Sequence, residues 1–264
     1  MGEQVGKSIS AIVLAGGMVT EKDPLYALSG HMKKTMLPVN GKPMVQWVIE
    51  AIDRAGSVSN IIVAGLDEQL WFGVTKPITM IPDAGGMLAN IRRGIEVVNS
   101  NHHTDEFILL ASGDIPAITP EIIEWRVKDA LEVGADINYA VVTQETMEAR
   151  FPGSQRSYVR LRDMRVCGGD LNVLRSSLAG EDALWERIIQ ARKSAWRQAS
   201  LLGYDLLLQL VLRRVSLEAA GQKVSDRLGI HGVGTVSPFA EIAMDIDKPV
   251  HLEVVERVMQ GQVA

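Results

Sequence analysis

Three features of this 264-residue chain predict an α/β layered fold. Apolar runs of strand length, bounded by turn residues, alternate with helical patterns, as they do when helices cover a sheet. The first apolar run empties into a glycine turn, AIVLAGG at Ala11 to Gly17. The length is enough for one large core, and a hydrophobic content of 47% with 22% charged residues is ordinary for a globular protein.

Taken in order, the strands expected are Ser8 to Leu14, Asn60 to Ala64, Ile78 to Ile81, Phe107 to Ala111 and Asp136 to Val142. The helices between them are Met44 to Ala55, Leu88 to Val98 and Pro120 to Val133. After Thr143 the rhythm changes: Arg156 to Arg162 and Met164 to Cys167 alternate like a short hairpin, and Ala183 to Leu228 reads as almost continuous helix. Ala240 to Ile246 returns to strand character, and Pro249 to Met259 reads as a closing helix. No repeat, low-complexity tract or linker interrupts the chain. The expectation is therefore one domain over residues 1–264, with 150–230 as a hairpin and helical insertion.

Charge and cysteine content exclude several classes. A formal charge of −5 argues against a general nucleic-acid binder, which carries a basic domain or stripe. The single cysteine, Cys167, excludes an internal disulfide framework and a cysteine zinc site. The start MGEQVGKS lacks an apolar signal core, so a cytoplasmic protein is expected. Leu201 to Leu212 is apolar yet too short to span a bilayer; it reads as buried core, a subunit contact or a lid over an apolar acceptor, without stable membrane insertion. His102 and His103 stand at a polar helix end and suggest no zinc site.

Ligands of open α/β sheets sit beyond the carboxyl ends of the strands. There the sequence places Leu14, Ala15, Gly16 and Gly17 after the first strand, and Ser112-Gly113-Asp114 after the fourth. Asp245-Ile246-Asp247 follows the late apolar run. Glycine N–H groups can approach anionic oxygens, and Lys34, in the run KKTMLPVNGKP at Lys33 to Pro43, can return to the same anion. A plain turn is the alternative for Gly16 and Gly17, a turn residue for Asp114, and a helix cap for Asp247. Asp245, among Ile242, Ala243, Met244 and Ile246, needs a partner.

LAGG at Leu14 to Gly17, the run Lys34 to Val48, SGDIP at Ser112 to Pro116 and MDIDKP at Met244 to Pro249 together resemble the MobA-like NTP transferases, the molybdenum-cofactor type of nucleotidyltransferase. They are similar also to the related cytidylyl- and uridylyltransferases. The resemblance implies a three-layer α/β/α sandwich with a mixed, mostly parallel, Rossmann-like sheet. It implies transfer of a nucleoside monophosphate from an NTP, CTP or GTP being favoured, to a small phosphorylated acceptor, with release of pyrophosphate. By this resemblance Lys34 is the phosphate-binding lysine, with Asp114 and Asp245 as catalytic carboxylates holding Mg²⁺. Leu14, Ala15, Gly16 and Gly17 contact the nucleotide, and the segment carrying Asp83, Gly85, Gly86 and Asn90 encloses its base. The family pattern has an arginine where this chain has Glu21, so a catalytically silent nucleotide-binding regulator stands as the alternative. Lys22 or Lys33 can take the arginine's place.

Acceptor binding is expected from the arginine-rich hairpin, with Arg156 and Arg160 as the preferred cations and Gly169 and Asp170 beside them. The sequence leaves open a monomer or a homodimer.

Overall fold

The computed structural model describes residues 8–30, 32–66, 73–100, 105–186 and 212–262. In chain order, strand β1 (Ile9–Leu14) leads through a short helix α1 (Tyr26–Ser29) to a two-stranded hairpin, β2 (Pro38–Val39) and β3 (Lys42–Pro43). Helix α2 (Met44–Arg54), strands β4 (Val58–Ala64) and β5 (Ile78–Ile81), helix α3 (Met87–Ser100) and strand β6 (Phe107–Ser112) complete the first half. Helix α4 (Pro120–Val133), strand β7 (Ile137–Thr143) and helix α5 (Gln144–Arg150) follow, then β8 (Val159–Arg160), β9 (Arg165–Gly168) and β10 (Leu171–Arg175). Helix α6 (Leu217–Leu228), strand β11 (Gly232–Ser237) and helix α7 (Pro249–Met259) close the described chain.

The fold is a three-layer α/β/α sandwich around a mixed sheet in which most strands run the same way. Strands β5, β4, β1 and β6 are parallel neighbours in that order. Antiparallel β10 then lies between β6 and β7. Strand β11 runs parallel to β7 along one edge, and β9 pairs with the carboxyl half of β7 along the other.

Alternation within each strand sends successive side chains to opposite layers. Ala11 and Val13 of β1 join Val48 and Ile49 of α2 and Ile123 and Val127 of α4, whereas Ile12 joins Ile91 and Ile95 of α3. Each fully buried aliphatic side chain contributes about 1.5–3 kcal/mol relative to exposure, which is why the strand and helix patterns of the first half were readable in sequence. Helix α4 has Pro120 in its first turn and ends at Gly134 in the left-handed region, where glycine carries no Cβ penalty.

Three expectations need correction. Ala240 to Ile246 is not a strand: Ala240–Ala243 forms a 3₁₀ turn and the strand lies earlier, at Gly232–Ser237. Apolar content at 240–246 reflects burial, not sheet pairing. The helix expected across Ala183 to Leu228 is interrupted before α6, where Arg213 takes a positive φ of 58° and the Ser216 hydroxyl accepts from the Ala219 N–H to start a new helix. The hairpin strand foreseen over Arg156 to Arg162 shrinks to Val159–Arg160. Residues 201–211 of the late apolar run and the pair His102 and His103 lie outside the described residues. Among the described residues no helix is long and apolar enough to cross a membrane.

One buried cation holds the second half of the sheet to its helix layer. Arg126 of α4 is fully buried; its Nε donates to the Leu171 carbonyl at 3.0 Å and its Nη1 pairs with Asp129 at 2.9 Å. Its Nη2 reaches the Asn138 carbonyl at 2.5 Å and the Asn138 side-chain oxygen at 2.8 Å. Burial lowers the Arg126 pKa to about 10, partly offset by Asp129, and leaves the group charged at neutral pH. Removing it takes a donor from the Asn138 and Leu171 carbonyls and the buried partner from Asp129, so Arg126→Ala is expected to lower unfolding free energy by about 3–5 kcal/mol, read from urea melts. A cost under about 1 kcal/mol would show that these contacts are not what binds α4 to β10 and β7.

Candidate active site

The site lies beyond the carboxyl ends of β1, β4 and β6, where loops from distant parts of the chain are tied together by backbone hydrogen bonds. The Gly113 N–H donates to the Leu14 carbonyl at 2.8 Å, the Ala15 N–H to Ala64 at 2.7 Å, and the Ile246 N–H to Asp114 at 3.1 Å. Gly65 has φ +102°, and a Cβ there would collide with the Gly16 backbone, so only glycine allows the β4 loop to lie this close to the β1 loop.

Lys34 reaches the site because its own turn is fastened to the glycine loop. Its N–H donates to the Gly17 carbonyl at 3.1 Å, and the next residue, Thr35, donates its hydroxyl to the Ala15 carbonyl at 2.8 Å. Lys34 Nζ then stands 2.7 Å from Asp114 Oδ2 and also binds Asp247. The Ser112 hydroxyl donates to the other Asp114 oxygen at 2.6 Å. Burial would lower the Lys34 pKa, but Asp114 and then Asp247 outweigh it and hold the ammonium charged well above its ordinary range. Lys33 Nζ donates to the Gly65 carbonyl at 2.5 Å, which puts a second cation beside the glycine loops. Glu21 and Lys22 are exposed in the turn that precedes α1.

Asp245 faces Arg156, with Oδ1 and Nη2 2.5 Å apart. The two are not aligned as a hydrogen bond, so the contact is ionic and Oδ1 has no hydrogen-bond donor among the described residues. Burial raises the Asp245 pKa, and the adjoining Asp247 adds to it. Asp247 moves the other way: burial opposes ionisation, but hydrogen bonds from Asp245 and Lys34 keep its carboxylate charged. One oxygen each from Asp114, Asp245 and Asp247 lies within 4.8 Å of the others. Asp170, at the entry to β10, is pushed up to about 8, first by burial and then by the Asp245 and Asp114 charges.

The expected base loop adjoins the expected phosphate loop. Asn90, at the start of α3, is buried; its side-chain oxygen accepts from the Ala84 N–H at 2.7 Å and its Nδ2 donates to Asp83 at 3.0 Å. Asp83 also accepts from the Gly85 N–H at 3.0 Å. A Cβ on Gly16 would stand 2.9 Å from Asn90 Nδ2, so the two loops touch. Both polar ends of Asn90 are thus engaged in shaping the Asp83 to Gly86 loop. Glycines 85 and 86 in that loop have φ of 91° and 146°.

The structure therefore brings Lys34, Asp114, Asp245 and Arg156 together, places Gly169 and Asp170 at the same edge through the bond from Asp170 N–H to the Ile242 carbonyl at 2.8 Å, and leaves Arg160 exposed on β8. Asp247, read from sequence as a helix cap, is part of the charged cluster. Its signal in the sequence was a second carboxylate two residues after Asp245 in the run MDIDKP. Its N–H donates to His251 Nδ1 at 3.1 Å, and the buried ring is kept neutral mainly by its burial.

The model of the MobA-like NTP transferase domain matches residues 11–203. This chain belongs to that family. Among curated proteins it is 33% identical over 103 residues to the 8-amino-3,8-dideoxy-manno-octulosonate cytidylyltransferase of Shewanella sp. strain W3-18-1, covering 38% of this chain and 41% of that one. The match thus spans less than half the length of that relative. A hypothetical transferase from Thermus thermophilus is 34% identical and superposes with a TM-score of 0.79 over 93% of this chain and 99% of its own. CMP:2-keto-3-deoxy-manno-octonic acid synthetase, solved with CTP, shares the fold: TM-score 0.57, 16% identity, 97% of this chain and 100% of the other.

Replacing Asn90 would release the Asp83 to Gly86 loop. Asn90→Ala removes the hydrogen bonds to Ala84 and Asp83 and is expected to cost about 1–3 kcal/mol in urea unfolding, at about 0.5–1.5 kcal/mol for each bond. Unchanged stability would mean that the loop holds its shape without Asn90.

Proposed function

We propose that this protein transfers CMP from CTP to a small phosphorylated acceptor and releases pyrophosphate, in a magnesium-dependent reaction. The observation that carries the reading is the single cluster made by Lys34, Asp114, Asp245 and Asp247 next to the glycine loops, with Arg156 on its far side. The cytidylyltransferase names among the relatives favour CTP over GTP.

The carboxylates fit a magnesium site on chemical grounds. Mg²⁺ takes oxygen ligands and is commonly bound through one or two carboxylates plus substrate phosphates. One oxygen each of Asp114, Asp245 and Asp247 lies within 4.8 Å of the others, an all-oxygen donor set of carboxylates. Asp114 and Asp245, with Asp247, would hold the ion, which when bound neutralises charge on the α-phosphate and the acceptor.

In this reading the backbone around Gly16 and Gly17 receives the triphosphate, and the Asp83 to Gly86 loop encloses the base. Lys34 exchanges its carboxylate partners for phosphate oxygens and stabilises the charge that gathers on the leaving group. Arg156 orients the anionic acceptor, and Gly169 and Asp170 border it. An acceptor phosphate oxygen attacks the α-phosphorus; that bond forms as the bond from the α-phosphorus to the bridging oxygen breaks, and pyrophosphate leaves with the electron pair. The acceptor phosphate is itself the nucleophile, so positioning and charge neutralisation do the catalytic work. Lys33, bonded at Gly65 beside the glycine loop, stands in for the arginine of the family pattern, whose place this chain fills with Glu21.

Pyrophosphate release from CTP and Mg²⁺ across a panel of sugar phosphates and alditol phosphates tests this function. Asp114→Asn is expected to lower release by about 10²-fold or more while the protein stays folded by circular dichroism. Turnover equal to wild type would sink the assignment of Asp114.

A further inference from the structure

Asp245 and Asp247 are held in place by a buried side chain that has no part in the transfer itself. His251 lies on the inward face of α7 with Val254, Val255 and Val258, in the core that also contains Met244 and Ile246. An aliphatic side chain would suit that apolar stripe better, because burial of a polar group is unfavourable unless its hydrogen bonds are met. Nε2 has no hydrogen-bond partner among the described residues. Nδ1 has contacts, and both fall on one short segment. It accepts from the Asp247 N–H at 3.1 Å and stands 3.1 Å from the Asp245 carbonyl oxygen.

That one nitrogen brackets Ile246. The Ile246 N–H donates to the Asp114 carbonyl at 3.1 Å, and the Ile246 side chain is fully buried. The stretch that separates the two carboxylates is therefore fixed from two directions, by the backbone of Asp114 and by the ring of His251. Arg156 Nη1 reaches the Asp245 carbonyl at 3.5 Å, so that oxygen has a donor of its own and the Nδ1 lone pair serves the Asp247 N–H. The neutral tautomer that does this carries its proton on Nε2. Lys34 and Arg156 act differently, because they bind the carboxylate oxygens of Asp247 and Asp245, the atoms an incoming cation would take. His251 touches only backbone groups and can keep its contacts while those oxygens change partners.

We propose that His251 is a positioning residue for the divalent-cation site: by bonding to the backbone around Ile246 it keeps the Asp245 and Asp247 carboxylates in register when Lys34 and Arg156 give them up. The inference rests on the magnesium reading of the three carboxylates and adds the residue that holds two of them for the ion.

Two substitutions separate this role from plain packing. His251→Asn keeps an acceptor near the place of Nδ1 and gives up much of the ring's volume, whereas His251→Phe keeps the volume and removes the acceptor. Mn²⁺ binding to the protein, read from the free-ion signal in electron paramagnetic resonance, is expected to weaken about tenfold or more in His251→Phe and to stay within about threefold of wild type in His251→Asn, as loss and retention of an outer-sphere partner predict. Urea unfolding is expected to rank them the other way, His251→Asn being the less stable because it leaves a cavity. Metal affinity that follows stability overturns the proposal, and so does unchanged affinity in both variants. If neither variant folds, nitrogen-15 NMR of the wild type decides: the expected result is a His251 ring protonated on Nε2 whose Nδ1 signal moves on addition of Mg²⁺. A ring protonated on Nδ1, or a signal indifferent to Mg²⁺, overturns it. Absence of Mn²⁺ binding by the wild type is a different result, which removes the magnesium reading and this inference with it.

Discussion

The ammonium of Lys34, set between Asp114 and Asp247, is the interaction on which the edge of this sheet depends. Asp114 follows β6, Asp247 precedes α7, and Lys34 comes from the turn after α1, so one cation draws together three segments that the chain order keeps far apart. Without it, three carboxylates within 4.8 Å of one another would face only Arg156 as a compensating charge among the described residues. The protein answers this crowding in two ways: Lys34 neutralises Asp114 and Asp247, and burial keeps Asp245 and Asp170 towards their protonated forms. In the proposed reaction the triphosphate and its magnesium would take over the charge that these cations and protons balance.

The backbone makes that cluster possible. The loops after β1 and β4 touch at Gly16 and Gly65, and the loop after β6 is bonded to Leu14 on one side and to Ile246 on the other. Parallel β1, β4 and β6 deliver all three loops to the same end of the sheet. Antiparallel β10 brings Asp170 to that end by starting where β6 finishes, with Leu171 opposite Ala111. Arg126 secures this arrangement from below, bonding α4 to β10 and β7 where the strand direction changes.

Much of this was legible in the sequence because burial leaves a period. The strands of the first half and the helices α2, α3 and α4 carry continuous or periodic apolar residues, and Lys34, Asp114 and Asp245 each stand in a short motif, Asp114 directly after β6. What escaped reading lacked such a period or served two roles. Gly232–Ser237 is a strand with two glycines and little apolar bulk, while Ala240–Ala243 is buried yet pairs with nothing as a strand. Leu171–Arg175 was not among the strands expected, and its partners, β6 and β7, are distant in sequence. Asp247 stands next to the Lys248 cap of α7, and the return of Lys34 shows its role in the cluster. Arg126 falls on the apolar stripe of α4 with Ile122, Ile123, Val127 and Ala130, a position where its charge and its helical spacing point in opposite directions.

If this charged edge works as proposed, CTP is cleaved between its α- and β-phosphates. Phosphorus NMR of the wild-type protein with CTP, Mg²⁺ and a phosphorylated acceptor tests that directly, because each bond broken leaves a different product. The expected result is pyrophosphate together with a new diphosphate diester joining CMP to the acceptor, and neither signal when magnesium is chelated. Release of orthophosphate with CDP, or CTP left intact across the acceptors while bound to the protein, would contradict it.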